Sequence, residues 1–566
     1  MKPIFTSHNN LKWIFIGVLS FLALITINTS LAEDTITNAA NPVATDTTPA
    51  DPFLSAVEDL KQRSFSKKGK AVEQLRTLDD PRILKILKYM LGSDLYYRKD
   101  DKRVVFVDKT EDGYEITDVI SGESLGKEKK SKLKKIIVNN RLRKQLRAAI
   151  AQINLNSKDA DVRLGAVKEM LRDASPEVAG MLRNAIEKET DSSVREAMET
   201  VIALAELNSD DKSTRLEAIK LLGNSTEDEA FSNLSKVIQK DFDGSYMEPD
   251  PEIRAAATAA LTSIQDRRSF YELMETIFFG LSLGSVLLLA AIGLAITFGV
   301  MGVINMAHGE LIMLGAYTTY VVQLLMPNYI EYSLFVAVPA AFLVSGLFGI
   351  AIERGVIRFL YGRPLETLLA TFGISLILQQ LVRTVFSPLN RSVETPQWMS
   401  GALEINSAFT LTYNRFYIII FSLMVFFALL AVLKKTPLGL QVRAVSQNRT
   451  MAKAMGVKTE WVDALTFGLG SGIAGVAGVA LSQLTNVGPN LGQSYIIDSF
   501  MVVVFGGVGN LWGTLVGAMS LGVVNKFLEP WSGAVMAKIL VLVFIILFIQ
   551  KKPRGLFPQK GRAAEN

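Results

Sequence analysis

The pattern of hydrophobic and polar positions divides the chain into two halves. From about residue 51 to 270, apolar residues alternate with many Lys, Glu, Asp and Arg residues. From about 274 to 550, the sequence is almost continuously apolar and its charges fall in short clusters. An apolar run of ~20 residues is long enough for one transmembrane helix. The pattern therefore predicts a soluble domain followed by a polytopic membrane domain.

The second half contains a series of apolar runs separated by polar or basic loops. Seven of them predict single spans, at 274–300, 307–326, 333–352, 367–386, 413–433, 461–484 and 535–550. The region 496–528 is long enough for two more passes, but the glycine-rich segment 506–510 interrupts it. The sequence therefore allows either two full crossings or a broken helix pair in this region. We expect an all-α membrane domain over 271–558.

Basic residues indicate how these spans are oriented. They cluster in three loops, near 354–363, 434–453 and 551–554. Cytoplasmic loops of membrane proteins carry an excess of Lys and Arg. If the N-terminal half is outside and the spans alternate, nine crossings place all three clusters in the cytoplasm. The sequence thus predicts an external N-terminal domain and a cytoplasmic C-terminal tail at 559–566.

The N-terminus has the features of a secretion signal. A lysine-containing start and an apolar run from Trp13 to Ile27 precede the small residues of Ser30-Leu31-Ala32. We predict a signal peptide over 1–32 that is cleaved after Ala32; an uncleaved anchor helix is the alternative. Residues 33–52, rich in Thr, Ala, Asn, Asp and Pro, are predicted to form a linker.

The region 53–270 has mainly helical periodicity. Between 102 and 120 the apolar residues alternate around Glu111-Asp112-Gly113, which predicts a small β-hairpin. From 158 to 265, four segments begin with an acidic or hydroxyl residue, then have an arginine and an amphipathic run. The arginines are Arg163, Arg195, Arg215 and Arg254. These segments resemble HEAT-type α-solenoids, which bind partners through a concave face; an irregular helical bundle is the alternative.

Composition narrows the possible chemistry. The 566 residues carry a formal net charge of +5 and no cysteine, which excludes disulfides, cysteine-ligated metals and thiol catalysis. Basic residues that flank apolar spans explain the charge without nucleic acid. The glycine-rich stretch FGGVGNLWGT at 505–514 lacks the Gly-Lys-Ser/Thr ending of a P-loop. We therefore predict no catalytic residue, no metal and no cofactor bound by this chain.

Several motifs, in order along the chain, resemble one transporter family. They are GLSLGSVLLLAAIGLAITFGVMGVINMAHGELIMLGAY at 280–317, LLATFGISLIL at 368–378, TPLGLQVRAVSQNRTMAKAMGV at 436–457 and SYIIDSFMVVVFGGVGNLWGT at 494–514. Together they are similar to the bacterial branched-chain amino acid and amide ABC permeases over nearly all of 274–558. The signal peptide and the long helical extension resemble the urea-transporter members of that family.

The resemblance implies a division of labour among subunits. A periplasmic substrate-binding protein would deliver the substrate, a second permease subunit would pair with this chain, and cytoplasmic subunits would bind and hydrolyse ATP. The implied location is the bacterial inner membrane, with the N-terminal domain in the periplasm. Urea is the implied substrate. Branched-chain amino acids or short amides are the alternative, and an ATP-independent carrier or channel is the alternative from another class.

Residues 436–457 match the family's cytoplasmic coupling segment. Pro437 and Gly439 would start a break, a short amphipathic helix would follow, and Gly456 would end it. The polar side chains expected to be exposed toward the ATPase are Arg443, Asn448, Arg449 and Lys453. A basic loop that serves only membrane topology is the alternative.

Polar residues inside the membrane half are the candidates for a substrate path, because ionisable groups there are costly and usually face a cavity or a partner. The candidates are Asn305, His308, Glu310, Gln379, Asp498 and Asn510. Structural roles are the alternative: Glu310 would cap a helix, and His308 would form a hydrogen bond to a backbone group. Urea is small, neutral and planar, so amides and carbonyls would suit it better than fixed charges.

Overall fold

The computed structural model describes residues 51–78, 80–110 and 113–558. The predicted signal peptide 1–32, nearly all of the linker, the turn residues Glu111 and Asp112, and the tail lie outside the described residues. The described chain divides into two compact units, one ending at Arg268 and one beginning at Ser269. Both units are built mainly from helices.

Three helices open the first unit and enclose a hydrophobic core. They are α1 (Pro52–Asp59), α2 (Phe65–Arg76) and α3 (Arg82–Gly92). Asp51 and Ser64 cap the first two helices, because their side chains accept hydrogen bonds from backbone N–H groups of the first turn. Leu60, Leu75 and Leu87 are fully buried between them.

A five-stranded antiparallel sheet follows, where the sequence predicted only a hairpin. The strands β1 (Leu95–Arg98), β2 (Val104–Thr110), β3 (Gly113–Asp118), β4 (Ser124–Glu128) and β5 (Leu133–Lys135) have the order β4-β3-β2-β1-β5. The predicted hairpin is confirmed as β2 and β3, with Val107 opposite Ile116. The sequence missed β4 and β5 because both are short and contain a single apolar residue each, which gives little signal of period two.

Six helices complete the first unit before the long helix that follows. They are α4 (Asn140–Asn154), α5 (Ala160–Leu171), α6 (Pro176–Ile186), α7 (Ser192–Glu206), α8 (Lys212–Leu222) and α9 (Asp228–Val237). The central helix α7 packs against α5, α6 and α8. The acidic residues that begin three of the four segments cap their helices, since Asp159, Asp191 and Asp211 each accept from a backbone N–H of the helix that follows.

The four recurring arginines share one structural role. Each is the fourth residue of its helix, and its guanidinium donates to backbone carbonyls in the turn before that helix. The acceptors belong to Ser157 and Lys158 for Arg163, Glu189 for Arg195, Leu207 for Arg215, and Glu248 and Pro249 for Arg254. The repeated arginine therefore closes the turns between helices. The HEAT-type assignment stays a prediction.

Among the described residues, the second unit contains most of the long helix α10 (Pro251–Met301) and ten further α-helices. These are α11 (His308–Leu325), α12 (Ile330–Gly355), α13 (Pro364–Phe386), α14 (Tyr413–Lys435), α15 (Pro437–Gln447), α16 (Arg449–Ala454), α17 (Thr459–Ser482), α18 (Gln493–Gly506), α19 (Leu511–Ser532) and α20 (Ala534–Lys551). A hairpin of β6 (Ala402–Asn406) and β7 (Phe409–Thr412) precedes α14, so the expectation of a purely helical membrane domain is wrong at this point.

Seven helices of the described chain are long and apolar enough to cross a membrane, namely α10, α12, α13, α14, α17, α19 and α20. The other two predicted crossings correspond to α11, which begins with the polar residues His308 and Glu310, and to α18, which has only 14 residues. Residues 496–528 do form two separate helices, joined at 507–510. The count of nine crossings stays a prediction.

Helix α17 lies at the centre of the second unit and packs against α11 and α12. Its glycines permit this contact. A Cβ on Gly475 would lie 2.5 Å from Ser345 Oγ of α12, and one on Gly478 would lie 2.6 Å from Ala316 N of α11. Small residues allow membrane helices to approach closely. Gly475 and Gly478 therefore serve helix packing.

Candidate functional site

The segment from Asn305 to Glu310 forms the junction between α10 and α11. After Met301, Gly302 adopts a left-handed conformation with φ +66°, and the Asn305 carboxamide oxygen accepts from Ala307 N at 3.0 Å. The side chains of Asn305, His308 and Glu310 are all at most 1% exposed. Three polar groups are thus buried where one apolar helix ends and the next begins.

His308 connects the two helices of this junction. Its Nε2 atom donates to the carbonyl of Ala290 at 2.9 Å, which fixes the tautomer and leaves Nδ1 as an acceptor. Gly293 provides the space, because a Cβ there would lie 2.9 Å from Cε1 of the imidazole. Nδ1 has no hydrogen-bond partner among the described residues. One imidazole nitrogen has a structural role and the other is unpaired.

Glu310 forms the centre of a buried polar cluster. Its Oε1 atom accepts from Ser375 Oγ at 3.0 Å and from Gln379 Nε2 at 2.8 Å, both on α13. The sequence singled out Glu310 and Gln379 separately, and the fold brings them together. It missed Ser375, although a serine one helical turn before Gln379 in an apolar span was a usable signal.

The polar junction leaves three buried atoms unpaired within the described part of the chain. They are the donor Asn305 Nδ2 and the acceptors His308 Nδ1 and Glu310 Oε2. A buried polar group without a partner costs about 1–3 kcal/mol. Each of these atoms is free to form one further hydrogen bond, Asn305 Nδ2 as a donor and the other two as acceptors. This junction, with Ser375 and Gln379, is the polar cluster considered below.

Asp498 and Asn510 have other partners. Asp498 on α18 forms an ion pair with Lys538 Nζ of α20 at 3.1 Å. Asn510 caps α19, because its Oδ1 accepts from Trp512 N at 3.1 Å, and its Nδ2 donates to the Phe557 carbonyl at 3.2 Å. The hydrogen bonds recorded for these two side chains do not connect them to the polar cluster. Their place on a substrate path stays a prediction.

The predicted coupling segment forms two short helices instead of one. Pro437 is the first residue of α15, and Gly439 lies so close to the Leu433 carbonyl that a Cβ would clash with it. Asn448 breaks the segment with an extended conformation, and its side chain accepts from Met451 N at 2.9 Å to cap α16. Gly456 ends the segment with φ +87°. The outer limits of the segment thus match the sequence prediction, whereas the break at Asn448 was not predicted.

Two basic side chains of this segment differ in their surroundings. Arg443 is exposed, and its guanidinium donates to the backbone carbonyl of Leu433. The sequence predicted that Arg449 would be exposed toward the ATPase, and this prediction is wrong for its guanidinium group. The Arg449 guanidinium donates to both carboxylate oxygens of Asp463, at 3.1 and 2.5 Å, and lies 4.0 Å from the Tyr361 ring centroid.

The apolar helices and their buried polar cluster define a multi-pass membrane protein. Residues 276–549 match the family described as "Branched-chain amino acid transport system / permease component". The chain is 31% identical over 298 residues to the high-affinity branched-chain amino acid transport permease protein LivH of Salmonella typhimurium, covering 51% of this chain and 96% of that protein. This chain therefore belongs to the branched-chain amino acid transport permease family.

Two further relatives show how far the similarity extends. The chain is 28% identical over 295 residues to the high-affinity branched-chain amino acid transport permease protein BraD of Pseudomonas aeruginosa, covering 50% of this chain and 96% of that protein. It is 29% identical over 140 residues to the ribose import permease protein RbsC of Bacillus subtilis, covering 23% of this chain and 44% of that protein. The family match begins at residue 276 and leaves the first unit outside it.

Proposed function

We propose that this chain is the membrane-spanning permease subunit of a binding-protein-dependent ABC importer and that it carries urea across the bacterial inner membrane. A second permease subunit would pair with it, and separate cytoplasmic subunits would hydrolyse ATP. A periplasmic binding protein would deliver the substrate. Family membership supports the transport role, and the two short helices α15 and α16 support a separate ATPase that docks on them.

The polar cluster is the observation that supports urea. Urea offers four N–H donors and one carbonyl acceptor, and it is neutral. The unpaired acceptors Glu310 Oε2 and His308 Nδ1 suit its N–H groups, and the unpaired donor Asn305 Nδ2 suits its carbonyl. Since urea brings no charge of its own, its transfer into this buried region avoids the cost of desolvating an ion.

Branched-chain amino acids are the second candidate substrate. The relatives LivH and BraD, which are branched-chain amino acid transport permeases, favour them. On α13, Arg383 lies one helical turn beyond Gln379, so a carboxylate at Glu310 and a guanidinium at Arg383 could pair with the two ends of a zwitterion. Arg383 is only half-buried and donates to Asn490 Oδ1 at 2.8 Å, so this pairing would have to replace an existing hydrogen bond.

Exposed apolar side chains support docking of an ATPase on the coupling helices. Leu440 is 63% exposed, Met451 is 60% exposed and Met455 is 78% exposed. A loop that served only membrane topology would need basic residues but not these apolar ones. Methionine and leucine side chains can fill a groove on a partner while Lys453 stays at its rim.

We place the first unit in the periplasm and the C-terminus in the cytoplasm, and we assign the first unit to binding of a partner subunit. The three basic loops near 354–363, 434–453 and 551–554 support this orientation. A signal peptide at 1–32 would export the first unit. A HEAT-like arrangement of α4 to α9 would give it a surface for docking, without chemistry of its own.

Uptake by a reconstituted complex tests this proposal. The chain would be placed in proteoliposomes with its partner permease, the ATPase subunits and the binding protein, and uptake of labelled urea and labelled leucine would be measured. We expect urea uptake that needs both ATP and the binding protein. Uptake of leucine alone would favour the second candidate. Urea uptake by this chain alone, unaffected by ATP depletion, would refute the importer role and favour a carrier or channel.

A further inference from the structure

An ion pair joins the coupling helices to the central helix of the membrane unit. Arg449 is the first residue of α16, and Asp463 is the fifth residue of α17. Their side chains form a bidentate pair with N···O distances of 3.1 and 2.5 Å. Asp463 is only 3% exposed, so its carboxylate has little access to water. Breaking such a pair leaves a buried charge without its partner, which is strongly unfavourable.

Arg449 is also held on its other side. The Tyr361 ring, in the connection between α12 and α13, lies 4.0 Å from the guanidinium carbon. Below the pair, Val445, Ala452 and Val462 form a small hydrophobic cluster that joins α15, α16 and α17. The planar guanidinium is therefore clamped between an aromatic ring and a carboxylate, a geometry that a lysine could not reproduce.

Helix α17 extends from this ion pair to the polar cluster. Past Asp463, a Cβ on Gly470 would lie 2.6 Å from the carbonyl of Gly293, which is the residue that makes space for His308. Further along, Gly475 and Gly478 are in equally close contact with α12 and α11. Because such backbone contacts leave no room for sliding without repacking, a displacement of α17 must displace its neighbours.

We propose that the Arg449–Asp463 pair transmits movement of the coupling helices through α17 to the polar cluster, so that Arg449 is a positioning residue and not an ATPase contact. The proposal rests on the proposed importer function. Docking on the ATPase is left to the exposed side chains Leu440, Met451 and Met455. Helix α17 then connects ATP hydrolysis to substrate release. Asp463, near one end of this helix, pairs with the coupling helices, and the glycines further along contact α10 and α11.

The test separates docking from transmission. Arg449→Gln and Asp463→Asn would each be made in the complete complex in proteoliposomes. Arg363→Gln is the matched control, since Arg363 pairs with Glu366 at 3.1 Å on the exposed first turn of α13. Three quantities would be measured: the amount of ATPase subunit that copurifies, the ATP hydrolysis rate, and the amount of urea taken up per ATP.

We expect both variants to keep the ATPase subunits bound and hydrolysing ATP, while urea uptake per ATP falls about tenfold. The control should behave as wild type. The double variant Arg449→Asp with Asp463→Arg restores the pair with reversed charges and should recover part of the uptake per ATP. Such recovery would show that the pairing, and not either side chain alone, supports uptake.

Three results would overturn the proposal. One is an uptake per ATP that is unchanged in both variants. Another is loss of the ATPase subunits from the complex, which would make Arg449 a docking residue. The third is failure of both variants to accumulate in the membrane, which would make the pair purely structural. If wild-type complex shows no ATP-dependent uptake of urea or leucine, the proposed function fails instead, and this outcome is visible before any variant is compared.

Discussion

Replacing Glu310 by Gln tests whether its free carboxylate oxygen binds substrate. The variant keeps the size of the side chain and one carbonyl oxygen, but it removes the negative charge. Oε1 accepts two hydrogen bonds, from Ser375 and Gln379, and Oε2 accepts none from the described residues. One carboxylate oxygen therefore accepts structural hydrogen bonds, and the other is available to a ligand.

The expected magnitude follows from these contacts. A hydrogen bond to a charged group contributes about 1.5–3 kcal/mol and one between neutral groups about 0.5–1.5 kcal/mol. Loss of the charge should therefore weaken a substrate N–H contact at Oε2 by about 1.4 kcal/mol, which corresponds to about a tenfold higher concentration for half-maximal uptake. The hydrogen bonds that Ser375 and Gln379 donate to Oε1 lose the same charge, so Glu310→Gln weakens them as well.

The assay is the concentration dependence of labelled urea uptake in the reconstituted complex, with Glu366→Gln as the exposed control. Ser375→Ala provides a second comparison, since it removes a donor to Oε1 and leaves Oε2 unchanged. We expect Ser375→Ala to lower thermal stability slightly and to leave the half-maximal concentration nearly unchanged. A Glu310→Gln variant that accumulates normally and has wild-type uptake at every urea concentration would refute a substrate contact at Glu310.

Three further predictions concern packing, pH and topology. Gly478→Val places a branched side chain against the backbone of α11, so the purified chain should unfold at a clearly lower temperature in detergent, while Gly180→Val, where a Cβ meets nothing within 4 Å, should not. The Arg163 guanidinium lowers the pKa of Glu189 from 4.5 to about 2, so the stability that it adds to residues 51–268 is present above about pH 4.5 and is lost as the pH falls toward 2. Thermal melts should show Glu189→Gln removing that pH dependence. In this cysteine-free chain, Asn390→Cys should react with an impermeant thiol reagent from outside and Lys453→Cys should not.

The apolar pattern predicted the membrane unit well, because hydrophobic length is a local property of the sequence. The predicted span 413–433 corresponds to α14 and the predicted span 461–484 to α17, within two residues at each end. The sheet was harder to predict. Strands such as β5 gain stability from pairing with β1, which lies some 35 residues earlier, and this pairing leaves no periodic signal in the strand itself.

Side-chain pairing across the fold was the least predictable feature. Glu310 and Gln379 were both selected as polar residues in apolar spans, but only the packing of α11 on α13 puts them 2.8 Å apart. Arg449 was expected to be exposed because the segment is basic and amphipathic. Asp463, 14 residues later in the second turn of α17, could not be predicted as its partner, because nothing local in the sequence links the two side chains.

Two threonines of α11 contrast with the unpaired polar groups of the junction. Thr318 and Thr319 of α11 are fully buried, and each satisfies its hydroxyl by donating to the backbone carbonyl four residues earlier, at 2.8 and 3.1 Å. No group of the described residues forms a hydrogen bond with Asn305 Nδ2 or with Glu310 Oε2. Because the surrounding helices contact each other through glycines, side chains cannot easily shift to satisfy these atoms. A transported molecule with complementary donors and acceptors would remove that cost, so we expect the cluster to be a place where substrate pauses during transport.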